Sequence, residues 1–172
     1  VVGAVFDDCA AGIDCGSAYI YRFNGSTWVQ EQKLTASDAV ADDNFGISVS
    51  VSGDTVVVGA PPDFCGAGDF CGSAYIYRFN GSTWVEQAKL TASPAAPNDQ
   101  FGQAVSVSGE VAVVGAATDA CCGSAYVYRF NGSTWTQQAK LTASDAADTD
   151  NFGASVSVSG DVAVVGAAAD DC

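Results

Sequence analysis

The sequence predicts an all-β fold, built as a tandem array of four-stranded antiparallel units. The string V-V-G-A occurs at 1–4, 57–60, 113–116 and 164–167, so the unit recurs after 56, 56 and 51 residues. Each unit contains four short strand-like runs separated by Gly, Asn or Asp turns. No stretch has the apolar period of a helix. A repeat of this length predicts units that bury their apolar faces against one another.

The first two runs of the unit predict a hairpin of two different strands. Ser and Val alternate in S-V-S-V-S at 48–52, which predicts a half-buried strand with Val49 and Val51 inward and the serines outward. Gly53-Asp54 then turns the chain. The next run, T-V-V-V-G-A at 55–60, is apolar and predicts a strand buried on both faces.

The third and fourth runs predict a second hairpin. The run A-Y-I-Y-R-F at 18–23 leads into Asn24-Gly25, a strong signal for a tight turn. The run W-V-Q-E-Q-K-L at 28–34 then returns antiparallel. Phe23 and Trp28 are therefore expected to form an aromatic pair across the two strands.

Four short antiparallel strands per repeat are typical of a β-propeller blade. Counted from V-V-G-A, the repeats span 1–56, 57–112 and 113–163, and 164–172 starts a fourth. Three blades are too few to close, so we expect an open or continuing array rather than a closed three-blade ring. Because the V-V-G-A strand occurs four times and the other strands three times, we expect a window from a longer array.

Two short motifs carry a resemblance to a known family. Phe45-Gly46 and V-V-V-G-A-P at 56–61 resemble the "FG" and "GAP" of the FG-GAP repeat, the blade of integrin α-subunit heads and of many bacterial surface proteins. Phe101-Gly102 and Phe152-Gly153, each followed by V-V-G-A, extend the resemblance along the whole chain. The resemblance implies all-β blades displayed outside the cell, with no catalysis by the repeats themselves.

Composition excludes several classes of function. Six basic residues face twenty acidic ones, a net charge of −14, so neither nucleic acid nor an anionic membrane surface is an expected partner. No apolar run is long enough to insert across a membrane. The chain has no His and therefore no Ser/His/Asp set, and we expect no enzyme activity and no cofactor.

Seven cysteines without zinc-ligand spacing predict disulfides, and hence an extracellular or cell-surface location. Two pairings are open. Pairing within each loop gives Cys9–Cys15, Cys65–Cys71 and Cys121–Cys122. Pairing between repeats gives Cys15–Cys65, Cys71–Cys121 and Cys122–Cys172, with Cys9 bonded to a preceding copy. We favour the second, because neighbouring residues lie about 3.8 Å apart at Cα, below the usual disulfide range.

Acidic residues recur at two places in each repeat. Asp7, Asp63, Asp119 and Asp170 lie in the cysteine loop, where the resemblance implies calcium held by D-x-D-x-D-G-x-x-D in the integrin branch. Here cysteine replaces a ligand and the third loop is short, so calcium is possible, and solvated acids are the alternative. Before [NQ]-F-G, an Asp is expected to bond its own backbone in a turn (Asp43, Asp99, Asp150).

The turn N-G-S-T supports two interpretations. Asn24, Asn80 and Asn131 each match the N-x-[ST] glycan acceptor pattern. The same Asn-Gly pair also satisfies a tight hairpin without any sugar. These three residues are therefore both turn residues and glycosylation candidates.

Two functions fit the sequence. The first is an extracellular, disulfide-stapled structural array, a building block of a surface fibre or filament whose partners are copies of itself or neighbouring repeats. The alternative is an adhesion or ligand-binding module within a closed, possibly calcium-binding, integrin-like propeller. A recognition face needs loops that differ, and loops that vary chiefly in length favour the structural function.

Overall fold

The computed structural model describes residues 1–63 and 70–169, and every regular element in these ranges is a β-strand. Sheet 1 contains β1 (Val2–Ala4), β2 (Ser17–Phe23) and β3 (Trp28–Leu34). Sheet 2 contains β4 (Ser48–Ser52), β5 (Thr55–Ala60), β6 (Ser73–Phe79) and β7 (Trp84–Leu90). Sheet 3 contains β8 (Ala104–Ser108), β9 (Val111–Ala116), β10 (Ser124–Phe130) and β11 (Trp135–Leu141). Sheet 4 contains β12 (Phe152–Ser159) and β13 (Val162–Ala167).

The sheets confirm the predicted tandem antiparallel blades. Strands consecutive in sequence pair with each other in every sheet, and the described sheets close into neither a barrel nor a ring. Each complete sheet starts on the Ser/Val strand, one strand before V-V-G-A. The bounds 1–56, 57–112, 113–163 and 164–172 therefore count the period from a different starting point. No helix in the described residues is long and apolar enough to cross a membrane.

Both predicted hairpins form. Phe23 pairs with Trp28 across the N-G-S-T turn, with ring centroids 5.5 Å apart, and the next two repeats give 5.4 and 5.5 Å. The Asn24 N–H donates to the Thr27 carbonyl at 3.1 Å. The Asn24 Oδ1 accepts from the N–H groups of Ser26 and Thr27, which holds the turn closed.

The hydrophobic core lies between sheets, as expected for stacked units. β5 is buried along its whole length. Val56 and Val58 pack in the cluster shared with sheet 1, and Val57 packs in the cluster shared with sheet 3. Phe45 and Phe101 are fully buried in these two clusters, each edge-on to two tyrosines of the following sheet.

The Ser/Val strands correct one prediction. The valines of these strands face the preceding sheet, but in β4 and β8 the serines face the next sheet rather than solvent. In β12, which no further sheet follows among the described residues, the serines are exposed. The Ser50 Oγ accepts from the Val107 N–H at 3.1 Å, and the Ser106 Oγ accepts from the Val158 N–H at 3.0 Å. Val51, predicted inward, is half-exposed. The serines thus join one sheet to the next, a role that alternation alone does not distinguish from exposure.

The glycines of "FG" and "GA" contact each other between successive sheets. A Cβ built on Gly59 would lie 1.9 Å from the Gly102 carbonyl oxygen. Gly3 stands in the same relation to Gly46 at 1.9 Å, and Gly115 to Gly153 at 2.0 Å. The Gly102 N–H also donates to the Gly115 carbonyl at 3.0 Å. Two backbones therefore touch where any side chain would separate the sheets.

The disulfides correct the favoured pairing. Cys9 bonds to Cys15 and Cys121 bonds to Cys122, so the predicted bonds Cys15–Cys65, Cys71–Cys121 and Cys122–Cys172, and the bond from Cys9 to a preceding copy, are wrong. The physical reason is local. The Cys9 N–H donates to the Gly12 carbonyl and the Gly12 N–H to Cys9, a tight turn that brings the Cys9 and Cys15 Cα atoms to 5.8 Å. Cys65 and Cys172 lie outside the described residues.

The pairing gives a direct expectation for peptide mapping. Digestion without reduction should release a Cys9–Cys15 linked species and a peptide that carries the oxidised Cys121–Cys122 pair. Closing a loop as short as that between Cys9 and Cys15 stabilises by only about 2 kcal/mol, so a Cys9→Ser/Cys15→Ser variant should still fold. A peptide joining Cys71 to Cys121 would restore the between-repeat scheme.

Candidate functional site

In three cysteine loops the structure describes an aspartate that contacts a lysine and a tyrosine of the same sheet. The Asp63 Oδ2 accepts from the Tyr75 hydroxyl at 2.6 Å and lies 2.7 Å from the Lys89 Nζ. The corresponding sets are Asp119 with Tyr126 and Lys140, and Asp7 with Tyr19 and Lys33. Tyr75 and Lys89 are paired residues on β6 and β7, so the strand register places both beside the loop. We call these sets the Asp–Tyr–Lys clusters.

Hydrogen bonds within the clusters favour the ionised forms of Asp7 and Asp119 and raise the pKa of Lys33. Hydrogen bonds from Lys33, Ser17 and Tyr19 lower the pKa of Asp7 to about 2. Burial raises the pKa of Asp119, but hydrogen bonds from Lys140 and Tyr126 outweigh burial and hold it below its ordinary value. Burial and the Asp63 carboxylate raise the pKa of Tyr75, which stays a neutral donor.

These clusters do not fit a calcium cage. Calcium requires six to eight oxygen ligands, yet the first carboxylate of each described loop already contacts an ammonium. Among described residues, Cys121, Cys122 and Asp148 bring potential metal-ligating atoms together. The two sulfurs are consumed in a disulfide, which leaves one carboxylate. Asp7, Asp63 and Asp119 are therefore partners of lysines, and Asp170 lies outside the described residues.

Removing a cluster lysine tests this assignment. Lys89→Met keeps the aliphatic stem but leaves the buried Asp63 and its neighbour Asp38 without a counter-charge. Since Lys89 is itself partly exposed, we expect a loss of about 2–3 kcal/mol in the free energy of unfolding, measured in urea. The control Arg22→Met removes an exposed pair with Glu31 and should cost below about 1 kcal/mol. EDTA should leave the wild-type melting temperature unchanged, and a fall reversed by calcium would contradict the assignment.

The aspartates before [NQ]-F-G form the predicted backbone turns. The Asp43 Oδ2 accepts from the Val40 N–H at 2.7 Å, and Asp99 and Asp150 make the same bond at 2.6 Å. Asp43 is 1% exposed, and its Oδ1 has no hydrogen-bond partner among the described residues. Burial raises its pKa to about 6.

This raised pKa predicts a pH dependence of stability. The folded Asp43 binds its proton more tightly than the unfolded one, so the stabilisation is complete below about pH 4 and is lost as pH rises through about 6. Relative to Asp43→Asn, the wild-type free energy of unfolding should fall by up to about 2–3 kcal/mol between pH 4 and 7. Asp99→Asn should give a difference of the same sign. A difference independent of pH would contradict the burial argument.

The glycan candidates Asn24, Asn80 and Asn131 are all exposed at hairpin tips. In each, Oδ1 accepts from backbone N–H groups of the turn. The Nδ2 atoms of Asn80 and Asn131 donate to a threonine hydroxyl at 3.3 and 3.2 Å. The turn therefore accounts for the asparagines by itself, and glycosylation stays a prediction.

The cysteine loops differ from repeat to repeat in sequence as well as in length. After the V-V-G-A strand the first loop continues with Val5-Phe6, the second with Pro61-Pro62 and the third with Ala117-Thr118. Phe6 and Ile13 are exposed in the first loop, and Phe70 is exposed in the second. The expectation that the loops vary chiefly in length was therefore wrong. It was based on the Asp and Cys residues that the loops share, and the residues between them differ.

Sequence reasoning missed the lysines as functional partners of the loop aspartates. The available signal was their recurrence, since Lys33, Lys89 and Lys140 occur once per repeat at a fixed distance after the tyrosine strand. Only the strand register shows that each lysine lies beside the tyrosine, and that both point at the loop.

The sheets and clusters define a class: a tandem array of β-propeller-type blades joined by backbone contacts. The FG-GAP repeat pattern matches residues 28–77, 84–128 and 135–172. The chain belongs to the FG-GAP repeat family, as its motifs indicated. This family consists of non-catalytic repeat or binding modules. A search of curated proteins returns no match.

Proposed function

We propose that the protein is a non-enzymatic, extracellular structural repeat protein that adds blade to blade in a surface fibre. The observation that carries the proposal is the complementarity of its two outer faces. Trp28 on the outer face of sheet 1 is 69% exposed, whereas its counterpart Trp84 is 5% exposed against sheet 1. Val164 on sheet 4 is 65% exposed, whereas its counterpart Val113 is fully buried against sheet 4.

The two outer faces are thus the two halves of an interface that the chain already contains. One exposes the surface by which a sheet packs on its predecessor, and the other exposes the surface that receives a successor. Contacts between different faces of identical units are heterologous, and they produce rings or open filaments. Copies of the same unit are the partners that these faces fit.

Sedimentation velocity tests this association. We expect the 17.4 kDa chain to form larger species as its concentration rises. Val164→Lys and Trp28→Ser, on opposite faces, should each prevent this growth, because an unpaired charge or a lost ring disrupts an apolar contact. Val85→Lys, at an exposed position on β7, is the matched control. A monomer at all concentrations, or growth unaffected by both face variants, would overturn the proposal.

The extracellular location is part of the same proposal. Two disulfides among the described residues, including one between neighbouring residues, favour an oxidising compartment. Exposed asparagines at the tips of three hairpins would carry one sugar per blade. Intact-mass measurement of native material should exceed the polypeptide mass if Asn24, Asn80 and Asn131 are glycosylated, and the bare mass would remove that part.

The alternative proposal, an adhesion or ligand-binding module within a closed propeller, is favoured by one observation. The cysteine loops present different side chains in each repeat, as a recognition face requires. The complementary outer faces also allow ring closure. We favour the structural proposal because the internal interfaces repeat with the same residues from one sheet to the next.

A further inference from the structure

We propose that a groove between the second cysteine loop and the flanking linkers binds a neutral saccharide. The groove has a volume of about 350 Å³, within the range of small-molecule sites, and opens on the loop face between sheets 2 and 3. This goes beyond the structural role, because it assigns a ligand to one loop rather than a partner to the outer faces.

The polar lining of the groove consists of side-chain amides. Asn44, Asn98, Gln100 and Gln103 all line it. Within residues 1–63 and 70–169, none of these four side-chain amides is hydrogen-bonded to the protein. Each offers donors and an acceptor together, which is the combination that sugar hydroxyl groups satisfy.

The apolar lining comes from the second loop and from Ile47, which lies in the linker before β4. Pro61, Pro62 and Ile47 line the groove beside Phe70, whose ring is exposed. Phe70 has a φ of 59°, a left-handed conformation that a bulky residue adopts at a cost. Asp14 has the same conformation, with a φ of 54°, at the equivalent position of the first loop, so the second loop differs in placing an aromatic side chain there. An aromatic ring beside unbonded amides suits the C–H face of a sugar ring.

The charges of the lining residues and of the whole chain favour an uncharged saccharide. No charged side chain is among the described residues that line the groove, although the chain carries 26 charged residues. An anionic sugar or a phosphate would find no basic partner and would meet a net charge of −14. A neutral saccharide needs no basic partner and is not repelled by the net negative charge.

The backbone argues against a peptide ligand. Extended peptides gain affinity mainly by pairing with an open strand edge. The described residues that line the groove all lie in turns or irregular segments and outside the strands. The groove therefore offers side-chain amides rather than a row of main-chain groups. Pro61 and Pro62 are specific to the second loop, since Val5-Phe6 and Ala117-Thr118 take their places in the other two loops.

Side-chain amide NMR of the whole chain tests the proposal. The probes are cellohexaose, hexa-N-acetylchitohexaose, maltohexaose and laminarihexaose, with hexagalacturonate and decaproline as the anionic and peptide comparisons. We expect at least one neutral hexasaccharide, at up to about 20 mM, to shift the amide signals of Asn98, Gln100 and Gln103. Hexagalacturonate and decaproline should leave them unchanged.

Matched variants locate the site. Phe70→Ala and Gln103→Ala should each weaken binding about tenfold, and Phe6→Ala, exposed on the neighbouring loop, should leave it unchanged. Absence of any shift with all four neutral probes would overturn the proposal. Binding that is unchanged in both groove variants would also overturn the proposal. Stronger binding of decaproline than of the saccharides would overturn it as well, and would identify the groove as a peptide site.

Discussion

Gly59→Ala is expected to unfold the interface between sheets 2 and 3. The new methyl group would lie 1.9 Å from the Gly102 carbonyl oxygen and 2.3 Å from the Ser48 Oγ. The first of these atoms is backbone, so relief requires the two sheets to separate. We expect a loss of at least about 4 kcal/mol in the free energy of unfolding, measured by urea denaturation.

A glycine in open space is the control for that substitution. Gly53 turns the chain between β4 and β5 with a φ of 56°, and nothing lies within 4 Å of its built Cβ. Asparagine tolerates this conformation, so Gly53→Asn should change stability by no more than about 1 kcal/mol. A Gly59→Ala protein as stable as wild type would show that the glycine contact does not fix the spacing of the sheets.

Phe101→Ala is expected to have the second largest effect. Phe101 is fully buried, and its ring lies edge-on to Tyr126 and Tyr128 with centroids 5.4 and 6.0 Å away. Removing the ring leaves a cavity between two sheets whose backbones are held by the adjacent glycine contact. We expect a loss of about 3–5 kcal/mol.

The comparison for Phe101 is an aromatic residue at a hairpin tip. Phe23 is half-exposed and contacts Trp28 on one side. Phe23→Ala should therefore cost about 1 kcal/mol, the value of one aromatic pair. Equal losses for the two variants would mean that the core between the sheets is not where most of the stability lies.

The strands and hairpins were predictable because their signals are local. Asn24-Gly25 between two alternating runs specifies a hairpin, and the pairing of Phe23 with Trp28 follows from turn length. The apolar run at 55–60 specifies burial on both faces, which β5 shows. These features depend on residues a few positions apart.

Features that depend on contacts between repeats were harder to predict. Ser50 looks solvent-facing in its strand, and only the position of Val107 in the next sheet gives it a donor. The cysteine columns leave two pairings open, and the choice depends on how tightly the loop turns at Gly12. The lysine in each Asp–Tyr–Lys cluster lies on the strand next to its tyrosine, and its aspartate lies in the loop before the tyrosine strand.

The observed disulfides do not hold neighbouring blades together. Bonds such as Cys9–Cys15 close a loop and do not join one repeat to the next. Blades are held together instead by the apolar clusters, the glycine contacts and the serine hydrogen bonds. A fibre built this way would keep its blade spacing after reduction and lose it when the glycine contact is blocked.

Negative-stain electron microscopy of native material tests the central claim, that these units pack head to tail through one repeated interface as a structural array. We expect filaments with a regular axial repeat, which persist under reducing conditions. Discrete closed discs, or isolated particles that never extend, would contradict it.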